Sequence, residues 1–76
     1  MRTPDPAGGA IHHLRLKYGI RQEALAFKAD VTISALARIE RGEVASPKIG
    51  TLRKIATALD MSLTELVAAV EQEKAE

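Results

Sequence analysis

The sequence contains no cysteine and very few aromatic residues. Among its 76 residues only Tyr18 and Phe27 are aromatic. The absence of cysteine excludes disulfide bonds, thiolate metal sites and cysteine nucleophiles. Because 46% of the residues are apolar and so few are aromatic, the core must be built from alanine, leucine, isoleucine and valine. A chain of this length forms one small domain with little room for an enclosed substrate cavity, so we do not expect an enzyme.

Long apolar runs are missing as well. A helix that spans a bilayer needs about 20 consecutive apolar residues, whereas the apolar runs here are only a few residues long. Residues 1–10 also lack the apolar segment of a signal peptide. We therefore expect a soluble, cytoplasmic protein that has no membrane partner.

Charge is unevenly distributed along the chain, although the formal net charge is only +1. Residues 1–54 contain ten Lys or Arg and five Asp or Glu, whereas residues 55–76 contain one and five. A basic region of this kind is typical of a protein that binds nucleic acid. Charge alone leaves a second interpretation open, because a solvated helix face with mixed charges produces the same pattern.

Apolar residues recur at helical spacing along the chain, and no alternating strand pattern is present. The spacing predicts five helices, at about residues 9–18, 22–28, 33–41, 48–59 and from residue 63 onward. Gly19, Asp30 and Gly42 are the expected left-handed residues after the first three helices. Ser62 and Glu65 match the capping box that starts a helix. The sequence therefore predicts an all-α bundle of five helices.

The two ends of the chain differ in composition from its middle. We expect a flexible leader at residues 1–8, a helical domain at residues 9–70 and a polar, fraying tail at residues 71–76. Asp5 before Pro6 also fits the cap of an earlier helix start, so the residues leave both interpretations of the N-terminal segment open.

Several large side chains have two possible placements. Helical spacing assigns Tyr18, Ile49 and Val67 to the core. Phe27 is expected to pack locally against the core, and the alternative is an exposed apolar patch. His12 and His13 are adjacent and point about 100 degrees apart on a helix, so they cannot chelate one metal ion as an i, i+4 pair does. We expect both histidines at the surface and predict no metal site.

The second and third predicted helices have the size and spacing of a helix-turn-helix. The sequence resembles the Cro/C1-type (Xre) helix-turn-helix family over about residues 10–67. The resemblance depends on QEALA at 22–26, Val31, LARIERG at 36–42, Pro47 and LRKIA at 52–56. It implies a lambda-repressor-like bundle and a sequence-specific transcriptional regulator, most often a repressor. Such a protein binds double-stranded DNA at an inverted-repeat operator as a homodimer, with helix 3 in the major groove.

The resemblance also implies roles for individual residues at matching positions. Those expected to contact bases are Thr32, Ile33, Ser34, Ala35 and Arg38. Those expected to contact phosphates are Arg21, Gln22, Arg41 and Lys48, with Lys28 as a further candidate. Arg15 and Glu40 match a structural ion pair between helix 1 and helix 3.

The base-reading positions depart from the family pattern, which usually has several long polar residues there. Ile33 and Ala35 cannot form hydrogen bonds to base edges, although they can contact a thymine methyl group. Hydrogen-bonded readout therefore depends mainly on Arg38 and Ser34. For Arg38 the sequence leaves a nonspecific phosphate contact open. Glu43 lies in a connector that is often basic in the family, which predicts weaker DNA binding.

Two other functions remain open at this stage. The fold also suits a protein-interaction module whose partner surface includes Phe27, Ile33 and Val44, and the chain also fits the DNA-binding part of a larger regulator. The sequence contains no glycine-rich phosphate loop, no HExxH motif and no credible Ser/His/Asp set. We therefore expect no catalytic residues and no cofactor.

Overall fold

The structure is a computed structural model that describes residues 5–75. Its helices are α1 (Pro6–Lys17), α2 (Gln22–Lys28), α3 (Ile33–Glu40), α4 (Ile49–Ala58) and α5 (Leu63–Ala75). No strand occurs in this range. The prediction of an all-α, five-helix bundle is confirmed. None of the helices within residues 5–75 is both long enough and apolar enough to cross a membrane.

Four helices are followed, two residues after their last residue, by a residue with left-handed backbone conformation. Gly19, Asp30 and Gly42 have φ values of 65°, 57° and 75°, and Asp60 follows α4 with a φ of 58°. Glycine adopts this conformation without steric cost, and aspartate tolerates it because its short side chain is polar. The three predicted terminators are therefore confirmed, and the fourth, Asp60, was not predicted.

The turn between α2 and α3 is fixed by two backbone hydrogen bonds. The N–H of Asp30 donates to the carbonyl of Phe27 at 3.2 Å, and the N–H of Val31 donates to the carbonyl of Ala26 at 3.0 Å. This pair of bonds is the Schellman motif, which satisfies carbonyl groups that the end of a helix leaves unpaired. The motif sets the direction in which α3 leaves α2.

The first helix begins earlier than the sequence pattern predicts. Its first residue is Pro6 rather than residue 9, and Asp5 caps it by accepting a hydrogen bond from the N–H of Ala7 at 2.9 Å. The second carboxylate oxygen of Asp5 accepts from the N–H of Ser46 at 3.0 Å. Asp5 therefore joins the start of α1 to the connector before α4. Of the expected leader, residues 1–4 lie outside the described part of the chain.

The fifth helix begins as predicted and continues further. The N–H of Ser62 donates to the carboxylate of Glu65 at 2.9 Å, and the N–H of Glu65 donates to the hydroxyl of Ser62 at 3.1 Å. These reciprocal bonds confirm the capping box. Residues 71–75, expected as a fraying tail, are helical.

The core receives one fully buried large side chain from every helix. These residues are Ile11, Leu25, Leu36, Ile55 and Leu66. Such close-packed aliphatic side chains take the place of the missing aromatic residues.

A close backbone approach brings α1 against α3. A Cβ atom placed on Gly8 would lie 2.0 Å from the carbonyl oxygen of Ile39. This position therefore has no space for a side chain, and the contact sets the distance of α1 from the C-terminal end of α3.

Four apolar side chains assigned to the core are instead exposed, and the assignments were wrong. Phe27 is 88% exposed because it lies two residues after the buried Leu25, which places it on the opposite side of α2. Ile49 is 64% exposed at the first position of α4. Tyr18 is exposed because it follows the last residue of α1 and leaves the helix face, and Val67 lies one position past the inward side of α5.

Candidate nucleic-acid interface

The third helix has a buried face and an exposed face. Leu36 and Ile39 point into the core. Ser34, Arg38 and Arg41 lie four and three residues apart, which places them along the opposite side of the helix. All three are exposed. Two guanidinium groups and a hydroxyl are therefore presented outward by a helix whose other side is fixed in the core.

The start of α3 is capped by a side chain. The hydroxyl oxygen of Thr32 accepts a hydrogen bond from the N–H of Ala35 at 3.0 Å, which caps the helix. The Thr32 oxygen is thus already used within the protein, although Thr32 was expected to contact a base. Ile33 is half exposed beside it, and Ser34 is exposed. Ile33 offers only an apolar contact, whereas Ser34 offers a hydrogen-bonding group.

A shallow, mostly apolar cavity of about 250 Å³ lies beside α3. Ala35 and Val44 contribute to its apolar wall, and Arg38 and Lys48 are the two cations among its lining residues. Lys48 is exposed and is the residue before α4. The structure therefore brings together three residues expected at the DNA interface, namely Ala35, Arg38 and Lys48.

A buried ion pair connects α1 to the end of α3. The Nε of Arg15 lies 3.0 Å from Oε2 of Glu40, and its Nη2 lies 3.0 Å from Oε1. The side chains are 11% and 4% exposed. Arg15 also donates from Nη1 to the carbonyl of Ile20 at 3.0 Å. The pair expected from the sequence is thus in contact, and it also holds the segment before α2.

His12 extends this ion pair toward the surface. Its Nδ1 lies 3.1 Å from Oε1 of Glu40 and 3.4 Å from Nη2 of Arg15. The sequence pattern predicts His12 only as a surface residue, without this contact. The signal was present, because His12 and Arg15 lie three residues apart on one face of α1.

A cavity of about 240 Å³, lined mostly by polar side chains, adjoins this group. Its lining residues are His12, Arg15, Gln22, Ala37, Glu40 and Arg41. Gln22 and Arg41 were both expected to contact phosphates, and they approach this cavity from different elements. The structure therefore places two predicted phosphate contacts around one opening.

Arg21 is exposed next to Gln22 and forms no side-chain cap to α2. Lys28 is exposed at the other end of α2.

Glu43 forms ion pairs on the exposed side of α3. Its carboxylate accepts hydrogen bonds from the Nε and Nη2 atoms of Arg41, and it lies 4.0 Å from the Nε of Arg38. The hydrogen bond from Arg41 lowers the pKa of the Glu43 carboxyl, and the same bond raises the pKa of Arg41. Glu43 was expected to weaken DNA binding, but its pairing with Arg41 and Arg38 was not predicted.

Comparison with known proteins assigns a family to this arrangement. The helix-turn-helix family HTH_3 matches residues 11–66, from the buried isoleucine of α1 to the buried leucine of α5. No curated protein has a sequence match to the chain.

Several solved structures are similar to this chain. The restriction-modification controller protein C.AhdI from Aeromonas hydrophila is 34% identical with a TM-score of 0.76, covering 82% of this chain and 92% of that one. An HTH_3 family transcriptional regulator from Vibrio cholerae is 36% identical with a TM-score of 0.76, covering 84% of this chain and 35% of that one. The wild-type controller protein C.Esp1396I is 25% identical with a TM-score of 0.83, covering 95% of this chain and 91% of that one.

Proposed function

This chain belongs to the helix-turn-helix family HTH_3 and is a DNA-binding transcription regulator, and we propose that it represses transcription by occupying an inverted-repeat operator. In this proposal α3 enters the major groove and Arg38 contacts a base edge. Arg21, Gln22, Arg41 and Lys48 contact the flanking phosphates. The protein acts without a cofactor or catalytic step, in the cytoplasm, where its operator lies.

The observation that supports the proposal most directly is the outward row of Ser34, Arg38 and Arg41. A recognition helix must be fixed on one side and free on the other, because its polar side chains must reach base edges in the groove. Leu36 and Ile39 provide the fixed side. Arginine is the side chain that most often reads a base pair, through paired hydrogen bonds to guanine O6 and N7.

Selection of binding sites from a random pool of duplex DNA tests this proposal. We expect recovery of an inverted repeat, because two copies of α3 must reach successive major grooves about 34 to 36 Å apart. Binding should weaken steeply with added salt, since each phosphate contact releases a counterion. Absence of duplex binding at low salt would contradict the proposal.

Replacement of Arg38 then separates base reading from phosphate binding. Arg38→Ala should lose about 1 to 3 kcal/mol of discrimination at one base pair. Arg41→Ala is the matched control on the same helix face, and it should weaken all sequences about equally. Thermal melts followed by circular dichroism must first show that both variants remain folded. If Arg38→Ala weakens every site equally, Arg38 contacts a phosphate and sequence reading depends on other groups or on DNA shape.

We propose that the protein binds its operator as a homodimer through α5. Leu66 is fully buried within one chain and is not available for a partner, but Val67 on the same helix is exposed. Leu63 and Val70 are half-buried beside it. Native mass spectrometry of the saturated complex should show two chains per operator. One chain per operator would contradict dimeric binding.

Exposure of Phe27 favours a protein-interaction module as a second candidate function. At 88% exposure, Phe27 is the most exposed of the large apolar side chains in the described range, and such residues often lie at protein interfaces. A salt titration of duplex binding separates the two functions, because phosphate contacts predict a steep dependence and an adventitious association predicts a flat one.

A further inference from the structure

We propose that His12 is an additional phosphate-binding residue of the DNA interface and that it acts in its protonated form. The inference rests on the proposed function and extends it to a residue that neither the sequence pattern nor the family resemblance assigns. His12 lines the same polar cavity as Gln22 and Arg41, which are both proposed phosphate contacts. Its side chain is 44% exposed, so a ligand can reach it.

The contact with Glu40 sets the chemistry of the imidazole ring. Nδ1 of His12 lies 3.1 Å from a carboxylate oxygen whose side chain is 4% exposed. A carboxylate only accepts hydrogen bonds, and it lies closer to Nδ1 than the donor Nη2 of Arg15 does, at 3.1 Å against 3.4 Å, so we assign the proton to Nδ1. Nε2 then has a lone pair in the neutral ring and gains an N–H when the ring is protonated. Within residues 5–75, Nε2 forms no hydrogen bond to the protein.

Protonation therefore changes what His12 offers to a phosphate. The neutral ring presents an acceptor at Nε2, which a phosphate oxygen does not bind. The protonated ring presents a donor and a positive charge, and both favour the phosphate. Histidine is the side chain that commonly serves as a charge switch near neutral pH.

The charged groups around His12 either oppose or favour a positive charge on its ring. On α1, Arg15 opposes the added charge at 3.4 Å, and the ring of His13 lies 5.9 Å away between centroids. On α3, Glu40 favours the added charge. Arg41 lines the opening of the cavity. Because Glu40 is already neutralised by Arg15, a DNA phosphate supplies the additional negative charge that protonated His12 needs.

Binding to a short mixed-sequence duplex, measured by fluorescence anisotropy at pH 6 and pH 8, tests the proposal. We expect the wild-type affinity to be about three- to tenfold higher at pH 6, which lies within the limit of about tenfold per pH unit that uptake of one proton allows over these two units. The slope of log affinity against log salt should be steeper at pH 6 by about one, since one more phosphate contact forms.

Three variants identify the responsible group. His12→Gln should abolish most of the pH difference. His13→Gln is the matched control, because His13 pairs with Glu73 on the α5 side of the same helix, and it should retain the difference. His12→Lys carries a permanent charge and should bind at pH 8 about as tightly as the wild type binds at pH 6.

Each contrary result has a distinct meaning. If His12→Gln retains the pH difference, or weakens binding equally at both pH values, His12 is not a protonated phosphate ligand and the inference is overturned. If His12→Lys binds no more tightly than His12→Gln at pH 8, charge at this position is irrelevant and the inference is again overturned. If the wild type binds no duplex at either pH, the proposed function fails together with the inference.

Discussion

Two arginine–glutamate pairs near the end of α3 have the same chemistry and opposite surroundings. Arg15 and Glu40 are 11% and 4% exposed, whereas Arg41 and Glu43 are 58% and 50% exposed. A buried pair cannot lose one partner without leaving an uncompensated charge in the interior. An exposed pair contributes little to stability, because water and salt screen it. The buried pair therefore stabilises the fold, whereas in the proposed function Arg41 of the exposed pair exchanges Glu43 for a DNA phosphate.

The largest expected effect comes from neutralising the carboxylate of the buried pair. Glu40→Gln should lower the free energy of unfolding by about 3 to 5 kcal/mol, because it leaves the guanidinium of Arg15 buried without its countercharge. Glu43→Gln is the matched control and should leave the free energy of unfolding unchanged within error. Urea denaturation followed by circular dichroism measures both. Equal effects of the two variants would show that burial does not distinguish the pairs.

A steric change beside the buried pair should have the next largest effect. Gly8→Ala places a methyl group 2.0 Å from the carbonyl of Ile39, so α1 must move away from α3, at a cost of about 1 to 3 kcal/mol. Gly50→Ala is the control, because a Cβ there meets no atom within 4 Å. Gly50 lies inside α4, and alanine there should stabilise the protein by about 0.5 to 1 kcal/mol. Thermal melts that show the same sign for both variants would contradict the close helix approach.

The exposed pair should instead affect DNA binding. Glu43→Gln releases Arg41 and removes a negative charge near Arg38, so we expect duplex affinity to rise about two- to fivefold, in line with the energies of exposed ion pairs. Glu71→Gln changes the net charge equally but lies on α5 beside Lys74, and it should change affinity less. Anisotropy titrations at low salt measure the difference. An equal rise in both variants would mean that only the net charge matters.

The smallest expected effect concerns acid stability at the start of α5. The backbone N–H of Ser62, and secondarily its side chain, lowers the pKa of the Glu65 carboxyl by hydrogen bonding. A carboxyl with a lowered pKa stabilises the folded state at neutral pH, and this contribution is lost as the pH falls through the lowered value. Glu65→Gln should therefore be slightly less stable than the wild type at pH 7. The difference should shrink in melts below about pH 4, where carboxyl groups protonate. A difference that stays constant with pH would exclude a charged cap.

Much of the fold follows from local sequence signals. The helices between Gly19 and Gly42 were predicted nearly to their ends, because a terminator and a cap act within a few residues of each other. The capping box of Ser62 and Glu65 is equally local. The early start of α1 was not predicted as the main interpretation. Asp5 is held by the N–H of Ser46 as well as by its own helix, and that contact joins positions far apart in the sequence.

The candidate site also has features that follow from local sequence and features that depend on packing. Ser34, Arg38 and Arg41 share one helix face because of their spacing, so their common outward direction could be read from the sequence. The contact of His12 with Glu40 depends on how α1 packs against α3, whereas Arg41 and Glu43 are only two residues apart, so their pairing is local although it was not predicted. Exposure of Phe27 and Ile49 also depends on packing, because an apolar residue faces the core only where another element covers it.

The sequence by itself determined the number of helices, the first three terminators, the capping box of α5 and the helix-turn-helix spacing, because each of these depends on hydrogen bonds and periodicity within a few residues. Only the tertiary structure decided which charged groups are buried, which are exposed and which share a cavity. Burial results from contacts among α1, α2 and α3, and it changes the energy of a charge far more than its position in the sequence does. For this reason Glu40 and Glu43, three residues apart, have different roles in the same protein.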